Sequence, residues 1–463
     1  MVIILNERKK RNIIIALMVA MFLGAVEGTV VTTAMPTIVR ELQGFQIMSW
    51  VFSIYLLTSA VTTPIYGKFA DMYGRRKTLS IGIIIFIIGS CLCGISQNMI
   101  QLIIFRGIQG LGAGGIFTVT YTIVGDIFTL SERARVQGLL SSVWGIASIA
   151  GPLVGGFFID YTSWHWIFFI NLPFGILSLV ILQKNLTEDF VRQEHTIDYG
   201  GIAFLSIAIT AFLGGLVKWY SFIIFLIALI FFYSIEKKAK EPVIPLEILT
   251  KDSVLVNGLS FLASAVLMGG DVYLPLFIQS VLGYRATISG LTMAPMSISW
   301  LIAAFFLAKA IPRYGERWVM ILSFGVILAS CFMLIFLDPQ TSLFLIGIIV
   351  FLLGLGFGGC FTALTLMVQS SVGYEQRGAA TALNALVRTV GQTIGVGALG
   401  SMLNLFMARF YTFHGSSGTG QDILALNFSI HALFIAFVVI ALICFLFSFF
   451  LPNHLKEEQG GLS

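Results

Sequence analysis

The sequence predicts an all-α protein that crosses a lipid bilayer fourteen times, and three observations support this prediction. Of the 463 residues, 57% are hydrophobic and only 11% are charged, whereas a soluble domain carries roughly 25% charged residues. The apolar residues form long runs, and the connections between them are short and polar. Because a membrane-spanning helix needs about 20 apolar residues, the runs divide into spans centred near residues 22, 58, 87, 111, 147, 174, 208, 227, 267, 298, 326, 354, 392 and 439.

The positions of lysine and arginine predict which loops face the cytoplasm. An even number of spans places both termini on the same side of the membrane. That side carries 21 of the 27 lysines and arginines, and the opposite loops carry four. Since cationic loops resist translocation, we expect cytoplasmic N- and C-termini in a multi-pass protein of the cell membrane.

Composition and motifs argue against several functional classes. The net charge of +5 comes from cations in short loops, so nucleic acid is not an expected partner. The five cysteines lie inside apolar runs and the histidines are scattered, which indicates neither a disulfide framework nor a metal site. The sequence contains no nucleotide-binding P-loop and no Ser/His/Asp or Cys/His arrangement that favours catalysis. We therefore expect neither an enzyme nor a bound cofactor.

A compact basic turn joins the second and third spans, between Gly67 and Lys77. It contains four cations, two glycines and one carboxylate. Asp71 precedes Arg75 by four residues, which is the spacing of an ion pair on one helix face. Gly67 and Gly74 permit close approach of two helices. A turn that only set membrane topology would need the cations alone, so we predict a structured hinge.

Two pairs of similar segments predict an internal repeat. The turn at Tyr73–Lys77 returns in weaker form at Tyr314–Trp318, 241 residues later. The segment Gly110–Thr118 returns more closely at Gly354–Thr362, 244 residues later. Nearly equal offsets indicate two six-helix halves in parallel orientation, with two helices inserted between them. The predicted division is an N-terminal half at 1–198, an inserted pair of transmembrane helices at 199–236, and a C-terminal half with a short cytoplasmic tail at 237–463.

Two ionisable residues lie inside predicted spans of the first half, and one of them, Glu27, is a candidate for proton coupling. Glu27 lies in the middle of the first span, where a charged side chain costs about 2.5–3.5 kcal/mol. Burial favours its neutral, protonated form. A carboxyl that is alternately buried and exposed to water can therefore bind and release a proton, as a proton carrier must. Arg106 in the fourth span keeps its charge and therefore requires a carboxylate or carbonyl partner. The alternative is structural, with each side chain only anchoring its helix to a neighbour.

The second half contains a comparable pair of charged residues. Asp271 follows two glycines in the ninth span. It could serve as a second proton site or bind a cationic substrate, or it could lie near the outer interface and be solvated. Arg388 in the thirteenth span is the analogous cation of this half.

Small residues form a stripe on the fifth predicted helix. Ser141, Gly145, Ser148, Pro152 and Gly155 recur at spacings of four, three, four and three residues. Such a stripe lets two helix backbones approach closely, and Pro152 removes a backbone donor and favours a kink. The stripe by itself is a structural feature.

Together these segments resemble the major facilitator superfamily, and in particular its fourteen-helix drug:proton antiporter branch of bacterial multidrug efflux transporters. The basic turn resembles the family's motif between helices 2 and 3. The other matching segments are Glu27–Pro36 in helix 1, Leu102–Gly110 in helix 4, Gly145 with Gly151–Gly156 in helix 5, Trp164–Pro173 and Tyr273–Gln279. The branch usually has aspartate where this chain has Glu27, which keeps the carboxyl but changes its reach.

The resemblance implies the major facilitator fold and a proton-coupled antiporter that exports amphipathic or cationic drugs by alternating access, with multidrug resistance as the consequence. Its partners would be hydrophobic or cationic drugs, protons and the lipid bilayer. The proton gradient would drive it without a cofactor, and it would be a monomer. The alternative on the same scaffold is a dedicated exporter of a specific metabolite, peptide, siderophore or lipid precursor. The helix 5 motif accompanies export in this family, which argues against an importer.

The resemblance also implies three groups of functional residues. The proton-coupling group is Glu27 and Arg106, to which we add Asp271 as the comparable carboxylate of the second half. The antiporter motif is Gly145, Gly151, Pro152, Gly155 and Gly156. The cytoplasmic gate motif is Gly67, Asp71, Gly74, Arg75, Arg76 and Asp126. In that motif, Asp126 would join Asp71 and Arg75 in a charge cluster that holds the gate, the alternative being solvated loop charges.

Overall fold

The computed structural model describes residues 6–128, 130–186, 188, 198–215, 218–239, 242–244, 246–372, 376–414 and 419–452. Every predicted span centre lies within a helix, so the all-α prediction is confirmed. The helices are α1 (Glu7–Leu42), α2 (Ser49–Tyr73), α3 (Arg75–Gly94), α4 (Met99–Ile127), α5 (Leu130–Tyr161), α6 (Trp166–Phe169 continued as Asn171–Asn185), α7 (Tyr199–Gly215), α8 (Ser221–Glu236), α9 (Lys251–Ser280), α10 (Ala286–Tyr314), α11 (Glu316–Leu334), α12 (Leu343–Ser370), α13 (Arg377–His414) and α14 (Thr419–Ser448).

Twelve of these helices are long and apolar enough to cross a membrane. The predicted inserted pair, α7 and α8, is also apolar but shorter, with 17 and 16 residues. Residues 1–5 and 453–463, which include the two chain ends, lie outside the described residues. The cytoplasmic position of the termini therefore stays a prediction.

Polar side chains define where several helices begin. Asn98 precedes α4, and its side-chain oxygen accepts a hydrogen bond from the backbone N–H of Gln101 at 2.9 Å. Thr250 and Ser342 cap α9 and α12 in the same way. Each cap satisfies a backbone donor that the first helical turn leaves without an intrahelical partner.

The chain forms two compact units, which we describe separately. The first contains residues 1–212 and 220–243, and the second contains 213–219 and 244–463. In the first unit, α4 packs against α2 and α3, and α1 packs against α5 and α6. In the second unit, α12 packs against α10 and α11, and α9 packs against α13. The separate status of the 199–236 pair stays a prediction.

The repeated glycine segments make equivalent contacts in the two units. A Cβ atom added to Gly110 would collide with the backbone carbonyl of Tyr55, and one added to Gly354 would collide with that of Met296. The two glycines are 244 residues apart, and the two residues they contact are 241 apart. The sequence repeat has the same two offsets: 244 residues for the glycine segment of the fourth helix and 241 residues for the turn that follows the second helix. Close packing of α4 on α2 is thus repeated by α12 on α10.

We expect Gly354→Ala to destabilise the protein by about 1–3 kcal/mol, because its methyl group has no room beside the α10 backbone. Gly347→Ala on the same helix is the matched control, since no atom lies within 4 Å of an added Cβ there. Thermal unfolding of the purified variants in detergent measures both effects. Equal melting temperatures for the two variants would contradict this account of the α10–α12 contact.

Candidate functional site

Glu27 and Arg106 form an ion pair in the interior of the first unit. Glu27 lies on α1 and Arg106 on α4, and each side chain is only 1% exposed. The Arg106 Nη1 donates to Glu27 Oε1 at 2.5 Å. The predicted need of this arginine for a buried carboxylate partner is met by the residue proposed for proton coupling.

Neutral polar side chains complete the hydrogen bonding of the carboxylate. Asn171, at the start of the second segment of α6, donates from Nδ2 to Glu27 Oε2 at 2.7 Å. The same amide contacts Ser90 Oγ of α3 at 2.8 Å, and Ser90 in turn donates to the carbonyl of Phe168 at 2.9 Å. Both oxygens of Glu27 therefore accept hydrogen bonds, as an ionised carboxylate requires.

Electron-rich groups surround the other partner, the Arg106 guanidinium. Its Nη1 donates to Gln109 Oε1 at 2.7 Å, and its Nε donates to the Val51 carbonyl at 3.2 Å. The Tyr55 ring lies beneath it, with the guanidinium carbon 4.0 Å from the ring centroid. This distance is suitable for a cation–π interaction, which is strongest in a desolvated site.

We call this cluster the Glu27 site and define it by its side chains: Glu27, Tyr55, Ser90, Arg106, Gln109 and Asn171. All six are buried. They come from α1, α2, α3, α4 and α6, so the site ties five helices of the first unit together. Chemically, the site contains one group that can gain and lose a proton beside a cation that keeps its charge.

Sequence reasoning identified the two charged members of the Glu27 site but gave no role to the neutral ones. Asn171 belongs to a matched segment, yet a lone asparagine at the end of an apolar run has many uses. Gln109 is three residues after Arg106 and so lies on the same face of α4. That spacing was the available signal for Gln109, whereas no local pattern indicates Tyr55 or Ser90.

The second unit does not repeat this ion pair. Asp271 follows Glu27 by 244 residues, the offset of the glycine repeat, but the position equivalent to Arg106 is Val350. Asp271 is half-buried on α9, and within the part of the chain that the structure describes it has no ion-pair partner. Arg388 lies on α13, with its guanidinium carbon 4.0 Å from the centroid of the Phe361 ring. The sequence analogy between Arg388 and Arg106 is therefore wrong, because the two residues do not occupy equivalent positions of the repeat.

The structure assembles three of the four charged residues of the predicted gate motif, whereas the fourth, Arg76, donates from Nη1 to the Leu186 carbonyl at 3.3 Å. Arg75 at the start of α3 bonds Asp71 at the end of α2 through Nη2, at 2.6 Å. Its Nε donates to Asp126 in the last turn of α4, also at 2.6 Å, and its Nη1 donates to the Ala70 carbonyl at 2.9 Å. We call Asp71, Arg75 and Asp126 the Arg75 cluster. It connects the ends of three helices.

Glu188, which the sequence reasoning missed, completes the turn between α2 and α3. Its two carboxylate oxygens accept from the backbone N–H groups of Arg75 at 2.8 Å and Arg76 at 3.1 Å. A carboxylate is favourable at a helix N-terminus because it complements the helix dipole. No local sequence pattern predicts this contact, since Glu188 follows α6.

The glycines of this turn have different roles. Gly74 has a φ of 93°, which L side chains rarely adopt, and an added Cβ would lie 2.9 Å from Glu188 Oε2. At Gly67 an added Cβ would meet only Thr118, at an ordinary 3.8 Å. The backbone conformation therefore requires glycine at residue 74, whereas no close contact requires it at residue 67 in this conformation.

The predicted antiporter motif lies where α5 crosses α1. Gly145, Gly151, Pro152, Gly155 and Gly156 are all buried on α5.

Two contacts of Thr29 and Val30 show how closely these helices approach. A Cβ added to Gly151 would collide with Thr29, and one added to Gly155 would lie 3.1 Å from the Val30 carbonyl. Thr29 also donates through Oγ1 to the Ala147 carbonyl at 3.2 Å. The glycines bring the α5 backbone close to α1 two or three residues after Glu27.

Comparison with known proteins matches the chain to one family. The model of the Major Facilitator Superfamily matches residues 17–396. The solved structure of a bacterial homologue of the human lysosomal transporter Spinster superposes with a TM-score of 0.73 at 17% identity, covering 98% of each chain. A D-xylose–proton symporter gives a TM-score of 0.66 at 13% identity, covering 96% of this chain and 98% of the other. These two structures share the fold.

Sequence comparison with two bacterial transporters supports the same family assignment. The multidrug transporter protein MdtP of Bacillus subtilis is 34% identical over 412 residues, which are 86% of this chain and 76% of MdtP. The multidrug efflux pump SdrM of Staphylococcus aureus is 30% identical over 396 residues, which are 84% of this chain and 88% of SdrM. This chain therefore belongs to the Major Facilitator Superfamily, and it is a multi-pass membrane transporter of small molecules, not an enzyme.

Proposed function

We propose that this protein is a proton-coupled antiporter of the cell membrane that exports amphipathic and cationic drugs by alternating access. The observation that carries the proposal is the buried ion pair of Glu27 and Arg106. Charged groups inside membrane helices are costly to keep and mark ion and proton pathways. Among the side chains of the Glu27 site, the carboxyl is the group suited to carry a proton.

Protonation of Glu27 would change the force that holds α1 to α4. The ionised carboxylate attracts Arg106 as an opposite charge, whereas the neutral acid offers only a hydrogen bond. In a site shielded from water this difference is large, because the local dielectric constant is low. A proton arriving from outside would loosen the pair and favour drug release, and its loss to the cytoplasm would restore the pair and favour drug uptake. The proton gradient would thus drive export without a cofactor.

The Arg75 cluster is suited to act as the gate of this cycle. Arg75 joins α2, α3 and α4 through ion pairs, and because the side chains are partly exposed to water each pair contributes about 1 kcal/mol. A cluster that is formed in one conformation and broken in the other is a two-state element of the kind that transporters use. The partial exposure of all three side chains leaves water available to solvate them when they separate.

The drug substrates are inferred from the relatives. MdtP and SdrM are named as multidrug proteins, and each match covers at least three quarters of both chains. A multidrug exporter is expected to accept several unrelated amphipathic cations. An exporter dedicated to one metabolite would move none of them.

The proposed function is tested with everted membrane vesicles that contain the protein and an imposed inside-acid pH gradient. We expect the gradient to drive uptake of ethidium and of a second, unrelated lipophilic cation, with uptake abolished by a protonophore. Vesicles that hold folded protein but accumulate neither cation would contradict the multidrug proposal. Uptake that a protonophore leaves unchanged would contradict proton coupling.

Glu27→Gln should abolish gradient-driven uptake while drug binding persists, because the amide has the carboxyl's shape and does not titrate. The matched control is Glu41→Gln, the same change on the same helix at an exposed position where the side chain accepts a hydrogen bond from Trp164 Nε1 at 2.7 Å. That variant should retain wild-type uptake. Full coupled transport by Glu27→Gln would remove this residue from the mechanism.

Arg75→Lys should reduce the transport rate about tenfold while drug affinity stays near that of the wild type. Lysine keeps the charge but cannot reproduce the forked geometry that reaches two carboxylates and a carbonyl, and about 1.4 kcal/mol corresponds to a factor of ten. Lys77→Gln removes an exposed charge from the same turn and should have little effect. Initial rates and binding curves separate the two quantities, and a wild-type rate for Arg75→Lys would refute the gate proposal.

A further inference from the structure

The partners of the Glu27–Arg106 pair fall into two sets of opposite polarity. On the carboxylate side, the amide N–H of Asn171 points to Glu27 Oε2 at 2.7 Å. On the guanidinium side lie three electron-rich groups, which are the Gln109 oxygen at 2.7 Å, the Val51 carbonyl at 3.2 Å and the face of the Tyr55 ring at 4.0 Å. The two sets come from different helices.

These two sets respond in opposite ways to a proton on Glu27. With Glu27 ionised, the pair has no net charge, and the Asn171 N–H gains a charge-assisted hydrogen bond. With Glu27 protonated, the site carries the net positive charge of Arg106. The ring face and the carbonyl dipoles then interact with an uncompensated cation, and their contacts contribute a larger stabilising free energy. Asn171 thus favours the ionised state, and Tyr55 favours the protonated state.

The other ionisable groups around the site do not disturb this assignment. Apart from Arg106, those close to Glu27 are Tyr55 itself and the Cys93 thiol of α3, whose Sγ lies 3.9 Å from Gln109 Oε1. The charged residues described on the other parts of the helices of this unit lie near the helix ends. On α5, for example, Glu132 and Asp160 lie at opposite ends of a helix that runs from Leu130 to Tyr161.

We propose that Asn171 and Tyr55 are opposed positioning residues that set the proton occupancy of Glu27. Asn171 holds the carboxylate in its ionised form. Tyr55 compensates Arg106 when the carboxylate becomes neutral, so a buried arginine is not left without stabilisation as the proton binds. The inference deepens the proposed function and rests on it for its physiological role, although the protonation equilibrium itself can be measured without a drug.

The Tyr55 hydroxyl supplies a matched control. This oxygen is buried and has no hydrogen-bond partner among the described residues, so the ring is the part of the side chain that contacts Arg106. Tyr55→Phe retains the ring and should behave like the wild type. Tyr55→Leu removes the ring and keeps an apolar side chain in its place.

The test is a pH titration of the purified protein by infrared difference spectroscopy, following the protonated-carboxyl band that disappears in Glu27→Gln. Tyr55→Leu should lower the midpoint of this titration by about one pH unit, the size expected for one desolvated cation–π contact. Asn171→Leu should raise the midpoint by about one pH unit, because it removes a hydrogen bond to the ionised form.

Opposite shifts for Tyr55→Leu and Asn171→Leu, with none for Tyr55→Phe, would support the proposal. Shifts of the same sign, or none, would overturn it, as would an equal shift in Tyr55→Phe. Thermal melting checks that each variant is folded, and Asn171→Ala replaces Asn171→Leu if the larger side chain disrupts the protein. The pH dependence of ethidium uptake in everted vesicles should follow the same order. Absence of uptake by the wild type would contradict the proposed function and leave the titration result intact.

Discussion

The requirement that a charge inside the bilayer be paired organises the first unit. Arg106 keeps its proton in any environment that a protein offers, so its burial depends on Glu27 and on the oxygen atoms and aromatic ring around it. Satisfying both partners takes side chains from five helices, and Asn171 reaches the carboxylate from α6. The same contacts that hold these helices together surround the carboxyl that is available to carry a proton. Stability and the proposed proton coupling therefore depend on one cluster.

Close helix packing brings this cluster together. Glycines of α4 remove the side chains that would separate it from α2 and α3, and glycines of α5 do the same against α1. The packing of α12 on α10 repeats the arrangement in the second unit, yet Val350 occupies the position equivalent to Arg106. The two units thus share their helix packing but differ in charge. Asp271 keeps the position of Glu27 without its arginine, so the pair of Glu27 and Arg106 has no counterpart at the equivalent positions of the second unit.

Much of this arrangement could be predicted from the sequence, for a physical reason in each case. Membrane spans could be predicted because apolar runs of their length are easy to recognise. Charged residues are rare inside such runs, and this identified Glu27 and Arg106 as candidates. The Arg75–Asp71 pair follows from helical spacing. The roles of Asn171, Tyr55 and Glu188 could not be predicted, because no local sequence pattern distinguishes them. Only the tertiary packing decides what they contact. The comparison of the two halves wrongly equated Arg388 with Arg106, because it matched the two charges without applying the repeat offset.

The most direct test of the central claim is reversal of the coupling in a purified system. Proteoliposomes that contain only this protein would be loaded with ethidium and diluted into drug-free buffer of the same pH. An antiporter predicts that the outward flow of ethidium acidifies the lumen, and that an uncoupling protonophore abolishes the acidification. Outward flow through folded protein without any pH change would contradict a proton-coupled exchange and leave a transporter driven by some other gradient.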